Sequence, residues 1–417
     1  MNAPQRRGAC PGLSAPMLTG DGLLVRLNLA DSIALDAFRD ICAAARRHGN
    51  GIMEVTTRGS LQVRGLTARS ADAFADAVTA LNIVAAADVR VMVDPLADDP
   101  STIIDSRSLA AQVGQALFDA RLALSPKACV IVDGGGHLHL DGVAADLRLR
   151  AIGSRAAPRL HVAMGGDARS ATALGTIQVD SAPEVAVRLF KLMAAHGTAA
   201  RAADLIRMAG ADRLRASLGD FICAAPAPPP RPISEPIGLH PQRDGSVALG
   251  IAASFGQATA ESFCELADLA AKGGAGRITF AAERIILLIA FVPGRAAAMS
   301  AHAERWGFIA RADDRRRRIV ACSGKPACAS GLIPARALAA ELAAKGTTLP
   351  PLVHISGCAK GCAHAGPAPL TVVGTERGCG IIRNGSARDL PSRHVDASDL
   401  GRQVAAFAGE HHERHDA

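Results

Sequence analysis

The stretch IMEVTTRGSLQVRGL, residues 52–66, has a counterpart 225 positions downstream in RITFAAERIILLIAF, residues 277–291. Each reads as two strands joined by a short polar turn, because runs rich in Val, Ile, Leu and Phe are interrupted only there. Working outward, a helix precedes each pair. Leu35, Phe38, Ile41, Cys42 and Ala45 recur at helical spacing in one copy, and Ala260, Phe263, Leu266, Ala267 and Ala270 in the other. Each helix runs into glycines, Gly49 and Gly51 or Gly274 and Gly276, as helix C-termini favour. Before each helix an alternating strand opens on Asp-Gly: DGLLVRLNL (21–29) and DGSVALGIA (244–252). The unit is strand–helix–strand–strand, a split βαβ module. Its duplication settles an architecture and leaves the activity open.

A mixed segment follows each copy. Residues 100–220 hold a predicted helix over 108–120, then LSPKACVIVDGGGHLHLDG (124–142), read as strand, turn and strand. Gly134–Gly136 lacks the GxGxxG spacing and a following helix, so it is read as a hairpin turn and not as a dinucleotide loop. The segment APAPPPRPISEP (225–236) is stiff, polar and unable to continue a sheet or helix, which makes it the linker between halves. The domain reading is 1–98, a first half-module; 99–224, a first mixed α/β lobe; 225–236, the linker; 237–312, a second half-module; and 313–417, a second lobe.

At 417 residues, 49% of them hydrophobic, the chain has ample material for two or three cores. The net charge of +7 suits an anionic partner. Nucleic acid is disfavoured, because the basic residues are scattered and only 3% of residues are aromatic. A polycarboxylate or phosphate ligand fits the charge equally well. The longest apolar run, IILLIAFV (285–292), is strand-sized and far short of a membrane span, and MNAPQRRGACPGL has no apolar signal core. These features suggest a cytoplasmic protein, in which ten cysteines point to metal or redox chemistry before disulfides.

The two hairpins differ in chemistry. Arg58, Gln62 and Arg64 in the first face Glu283, Leu287 and Ile289 at the matching positions of the second. A solvated strand face would explain the arginines alone. The asymmetry suggests instead that one of two pseudo-symmetric sites is functional and the other structural.

The cysteines cluster near the C-terminus. ACSGKPACASG holds Cys322 and Cys328, and SGCAKGCAH holds Cys358 and Cys362, giving Cys-x5-Cys, 29 intervening residues, then Cys-x3-Cys. Four thiolates are the usual ligand set of an iron–sulfur cluster. Gly324, Gly331, Gly357 and Gly361 would let backbone approach closely and donate N–H groups. Structural zinc also takes four thiolates but prefers shorter knuckles than a five-residue gap. Buried free thiols are the better reading for Cys42, Cys129, Cys223 and Cys264, in apolar surroundings, but not for two glycine-flanked pairs.

This pattern in a duplicated chain resembles the sirohaem nitrite and sulfite reductase superfamily. Thr56-Thr57-Arg58 followed by Gln62 resembles its Thr-x-Arg-x-x-x-Gln hairpin, and SPKACVIV (125–132) resembles its Lys-x-Lys strand, with Lys127 kept and Cys129 at the second lysine position. Arg90 resembles another anion-binding arginine. The segment RRGACPGLSAPMLTGDGLLVRL (6–27), SGCAKGCAH and PAPLTVVG resemble more closely the precorrin-3B synthase branch of that superfamily.

The resemblance implies an α+β, internally duplicated nitrite/sulfite-reductase-like fold, with ferredoxin-like split βαβ half-modules plus two mixed α/β lobes. It implies a [4Fe–4S] cluster on Cys322, Cys328, Cys358 and Cys362, and tetrapyrrole carboxylates bound by Arg58, Gln62, Arg64, Arg90 and Lys127. It implies an oxidoreductase of cobalamin biosynthesis that hydroxylates precorrin-3A at C20 with O2 and closes a γ-lactone. The reductant would be NADH or a reduced carrier, with an electron-donor protein as partner. A mononuclear non-haem iron would be separate from the cluster, with His137, His139, His354 and His364 as candidate ligands. No sirohaem, nucleic acid or membrane is expected, and the chain would be a monomer. The run Arg315–Arg318 is either a solvated loop or an aid to substrate binding. Two alternatives stay open: a sirohaem-dependent sulfite or nitrite reductase, and a non-catalytic Fe–S carrier or tetrapyrrole-binding protein.

Overall fold

The computed structural model of the chain describes residues 11–29, 31–83, 89–346, 348–364 and 366–413. Residues 6–10 of the N-terminal segment singled out above lie outside them. The first half-module contains β1 (Met17–Thr19), β2 (Gly22–Leu27), β3 (Ile33–Ala34), α1 (Leu35–His48), β4 (Ile52–Val55), β5 (Leu61–Leu66) and α2 (Ala68–Thr79). The first lobe follows with β6 (Arg90–Val93), α3 (Ser106–Asp119), β7 (Cys129–Asp133), β8 (Ala145–Ser154), β9 (Ala157–Gly166), β10 (Thr172–Ile177), α4 (Ala182–Ala194) and α5 (Ala202–Leu218).

The second half-module contains β11 (Gly238–Pro241), β12 (Val247–Ala253), β13 (Gln257–Thr259), α6 (Ala260–Lys272), β14 (Arg277–Ala281), β15 (Ile285–Phe291), α7 (Pro293–Arg305) and β16 (Phe308–Ile309). The second lobe comprises β17 (Ile319–Ala321), α8 (Ala335–Ala344), β18 (Val353–Ser356), β19 (Ala368–Thr375), β20 (Gly378–Gly385), β21 (Arg393–Val395) and α9 (Leu400–Glu413).

The half-modules interlock. The first sheet runs β1-β2-β5-β4-β13 and the second β11-β12-β15-β14-β3, so each takes its last strand from the other copy. One apolar core serves both. The predicted helical faces of α1 and α6 are buried in it, and Phe38 meets Phe263, its counterpart at the 225-residue offset, edge to face at 5.8 Å. Burying each such ring contributes roughly 2–3 kcal/mol, so neither module would keep this core alone. The hairpin tips also meet, with Glu283 N donating to Thr57 O at 2.9 Å and Arg58 bridging Ala282.

Each lobe has its own core. Their sheets repeat one plan: β6-β7-β8-β9-β10 and β17-β18-β19-β20-β21, with the first two pairings parallel and the last two antiparallel. The duplication therefore extends well beyond the half-modules. Two sequence readings change here. The boundary at residue 98 moves, because β6 pairs with β7 and belongs to the lobe. Gly134–Gly136 is not a hairpin turn: β7 and β8 run parallel, and residues 134–144 cross between them, with His137 and His139 outside any strand. Parallel neighbours need a crossover, which a tight turn cannot supply.

The Pro-rich segment has no helix or strand, but it is strapped to the first lobe. Arg231 bonds Asp133 and Asp141, Arg150 donates to Pro229 O at 3.2 Å, and His139 Nε2 contacts Pro232 O at 2.9 Å. Arg315–Arg318 is likewise a brace. Arg316 donates to Asp314 and to Gly307 O, Arg317 pairs with Glu235, and Arg318 donates to Leu349 O. No helix among the described residues is long and apolar enough to cross a membrane.

Candidate functional site

Cys322 immediately follows β17, and its N–H donates to Ile355 O at 3.2 Å. Cys328 sits in a turn closed by its own N–H to Gly324 O (2.8 Å) and by Gly331 N–H to Cys328 O (2.9 Å). Cys358 and Cys362 lie in the crossover from β18 to β19. All four line one cavity of about 610 Å³ between the first half-module and the second lobe. Burial, and then the other three cysteines, push the Cys362 thiol up, so the thiols repel one another as thiolates. Such a set ionises readily only around a cationic centre. The Gly357 N–H already donates to Cys322 Sγ at 3.0 Å, the contact a metal thiolate favours. A Cβ on Gly357 would sit 3.0 Å from Gly324 Cα and 3.4 Å from Cys322 Sγ, which leaves a side chain little room there. The donor set fits a polynuclear cluster.

The opposite wall comes from the first hairpin and its neighbours. Arg64 is buried and committed: it donates to both carboxylate oxygens of Asp21 (3.0 and 2.8 Å) and to Ala327 O (2.7 Å). It thus pins the cysteine loop to the half-module. Burial opposes ionisation of Asp21, but the hydrogen bonds and charge of Arg64 win and hold its carboxyl below the usual value. Glu54 is a second junction, 2.6 Å from Arg336 and 3.6 Å from Arg64. With its amide turned to suit its neighbours, Gln62 donates to Glu54 (3.0 Å) and accepts from Arg26 (2.9 Å).

Arg284 differs from these. It lines the cavity from the tip of the second hairpin and has no hydrogen bond or ion pair among the described residues. Burial, and then Arg336, lower its pKa. Lys360 lines the cavity too, with Nζ donating to Ser330 Oγ at 2.9 Å. Sequence reasoning missed Arg26, Arg284 and Arg336. Arg284 falls opposite Gly59 in the repeat, an added cation that the hairpin alignment exposes.

The other proposed anion binders are elsewhere. Arg58 and Arg90 line a neighbouring cavity of about 350 Å³ with Arg107, across the hairpin tip from the cysteines. Arg58 approaches Cys129 Sγ at 3.8 Å, and Arg90 donates to Ser60 Oγ at 2.6 Å. Lys127 is exposed on the turn before β7. The structure thus brings Gln62 and Arg64 to the cysteines, Arg58 and Arg90 to the next cavity, and Lys127 to neither.

Of the four histidines, His354 and His364 come together, their rings perpendicular-tilted at 5.6 Å. His354 is fully buried on β18 and neither ring nitrogen has a partner. Burial, then His364 and Arg284, depress its pKa to about 4. His137 is exposed and His139 is occupied by Pro232 O. Among the described residues no three His, Cys, Asp or Glu side chains are arranged to hold a single metal ion.

The architecture defines a class: an internally duplicated α+β fold of the nitrite/sulfite reductase type. Residues 15–81 match the nitrite/sulfite reductase ferredoxin-like half domain. The solved structure of the Mycobacterium tuberculosis NirA protein superposes with a TM-score of 0.73 over 92% of this chain and 79% of that one, at 17% identity. Sulfite reductase [ferredoxin] 2 of Mycolicibacterium paratuberculosis is 26% identical over 35% of this chain and 29% of its own. The precorrin-3B synthase of a Sinorhizobium species is 35% identical over 97% of this chain and 88% of its own length. The chain belongs to the precorrin-3B synthase family.

Proposed function

We propose that this chain hydroxylates precorrin-3A at C20, using O2 and a reductant, and closes the γ-lactone, as a step of aerobic cobalamin biosynthesis. One oxygen atom enters the macrocycle, and the other leaves as water with two electrons from NADH or a reduced carrier. Cys322, Cys328, Cys358 and Cys362 would hold a [4Fe–4S] cluster, which supplies one-electron transfer when bound. A separate non-haem iron would need nitrogen and oxygen ligands, and His354 with His364 are this chain's best-placed pair. The cations make the pocket selective for a polycarboxylate: Arg284 is the unpaired one beside the thiols, and Arg58 and Arg90 extend positive charge into the next cavity. Carboxylate binding relieves the cost of burying an unpaired guanidinium, so ligand binding and pocket order reinforce each other.

The observation that carries this reading is the four-thiol cavity, faced by an unpaired arginine, in a chain similar to a precorrin-3B synthase along nearly its whole length. The test uses anaerobically purified protein with precorrin-3A, NADH with a reductase, and labelled dioxygen. One labelled oxygen in the product is expected. A tightly bound sirohaem with sulfite or nitrite turnover, and an untouched precorrin, would overturn it.

A further inference from the structure

The cysteine pair of the second lobe has a counterpart in the first, and it is made of oxygen. Cys322 follows the first strand of its sheet, and Asp94 follows β6, the first strand of the other. Three of the surrounding loop hydrogen bonds correspond. Gly357 N donates to Cys322 Sγ at 3.0 Å, and Gly134 N donates to Asp94 Oδ1 at 2.8 Å. Gly331 N donates to Cys328 O at 2.9 Å, and Thr102 N donates to Asp99 O at 3.1 Å. Leu332 N donates to Gly357 O at 2.7 Å, and Ile103 N donates to Gly134 O at 2.7 Å. Asp94 and Asp99 therefore stand where Cys322 and Cys328 stand.

The oxygens converge on an enclosed point. Asp94, Asp99 and Thr102 are 1%, 5% and 4% exposed. Asp94 Oδ2 and Thr102 Oγ1 have no hydrogen-bond partner, and the Ser106 hydroxyl stands beside Asp94. The position a Cβ would take on Gly136 lies 3.1 Å from Asp94 Oδ2, 3.4 Å from Thr102 Oγ1 and 3.7 Å from Asp99 Oδ2. The missing side chain of Gly136 leaves that space open. Asp99 is held in its orientation by the His137 N–H on Oδ2 and the Ser101 N–H on Oδ1, both 2.8 Å.

Cations near the loop are engaged elsewhere. Arg231 serves Asp133 and Asp141, while Arg155 and Arg243 reach the backbone oxygens of Thr102 and Asp99. Neither Asp94 nor Asp99 has an ion pair among the described residues. Two buried carboxylates without a counter-charge, and a hydroxyl without a partner, are costly unless something satisfies them together.

We propose that Asp94, Asp99 and Thr102 hold a hard divalent cation of the Mg2+, Mn2+ or Ca2+ class, at the place in the first lobe that the cysteine pair occupies in the second. All-oxygen donors select such ions over soft metals. Its role is to clamp the 94–105 loop onto Gly134–Gly136. Pro95, next to Asp94, lines the cavity that holds Arg58 and Arg90, so the clamp sets the floor beneath them.

The test uses the full chain with its iron and sulfide intact, treated with chelator and titrated with Mg2+, Mn2+ or Ca2+. Mn2+ binding is read by electron paramagnetic resonance and thermal stability in parallel. One Mn2+ per chain should bind and raise the melting temperature. Asp94→Asn should weaken it by at least about tenfold, with iron and sulfide content unchanged. Gly136→Ala, which places a methyl among the oxygens, should abolish it in a folded protein and serves if Asp94→Asn does not fold. Absence of binding by all three ions at millimolar concentration would overturn the proposal, as would full Mn2+ binding by Gly136→Ala. A parent protein that binds nothing and is stabilised by Gly136→Ala would mean the space holds water, and would overturn it as well.

Discussion

The two lobes share a sheet order, a strand register and three equivalent loop hydrogen bonds, yet one presents thiols and the other carboxylates at the same backbone positions. The hairpins show a similar contrast: Arg58, Gln62 and Arg64 in one, Glu283, Leu287 and Ile289 in the other. The frame repeats because backbone bonding and core packing reward any sequence with the right periodicity. The chemistry diverges at individual positions such as Asp94 and Arg64, which are buried but satisfy polar neighbours and not the core's apolar periodicity. A duplicated scaffold thus yields two sites of different hardness from one geometry.

The comparison can be broken most severely at the second lobe. Cys358→Ala should lose the cluster, read as iron and labile sulfide, and destabilise that lobe by more than about 3 kcal/mol. The first lobe's melting transition should stay in place. Next in size is the tie between halves. Arg64→Ala leaves the half-buried Asp21 without its counter-charge and should cost about 2–3 kcal/mol in denaturant unfolding. Arg64→Lys should recover only part, because a lysine cannot bind both oxygens of Asp21 while reaching Ala327 O.

An acid-side pH effect is expected in both lobes, from His161 in the first and His354 in the second, each lowered to about 4. Burial, then Arg150, lower His161 to about 4. The second lobe has Val373 facing Gly380 where the first has Arg150 facing His161. The unfolded chain takes up this proton before the native one, so stability is level above the ordinary value of 6.5 and falls as pH drops from there toward 4. The His161 share of the loss should reach about 3 kcal/mol at the acid end, and His161→Leu should remove that share, leaving the slope from His354, in urea titrations from pH 7 to 4. The smallest effect is expected at the second hairpin. Arg284→Gln should raise KM for the tetrapyrrole about tenfold, near 1.4 kcal/mol, without loss of stability, since no bond within the protein is given up. An unchanged KM would move the carboxylate site to Arg58 and Arg90.

Much of this was legible in the sequence. Strand alternation and helical spacing announced both half-modules, and the offset of 225 carries Phe38 onto Phe263 in the folded core. The cysteine spacing announced a shared site. The lobe repeat was not legible. Between its copies the offset slips from 228 at Asp94 and Cys322 to 223 at Gly134 and Gly357, and carboxylates stand at the positions of the thiols. Arg64 was visible as a conspicuous cation, but its engagement with Asp21 and Ala327 was not, nor was the solitary Arg284.

The sequence by itself determined the elements, the repeat of the half-modules and the thiol donor set, since periodicity and spacing act over a few neighbouring residues. Only the tertiary structure decided which cations are spent on structure and which face the cavity. It also decided that each half-module lends a strand to the other, and that two aspartates occupy a cysteine pair's place. Those facts depend on groups brought together from tens to hundreds of residues apart, and no local pattern records such pairings.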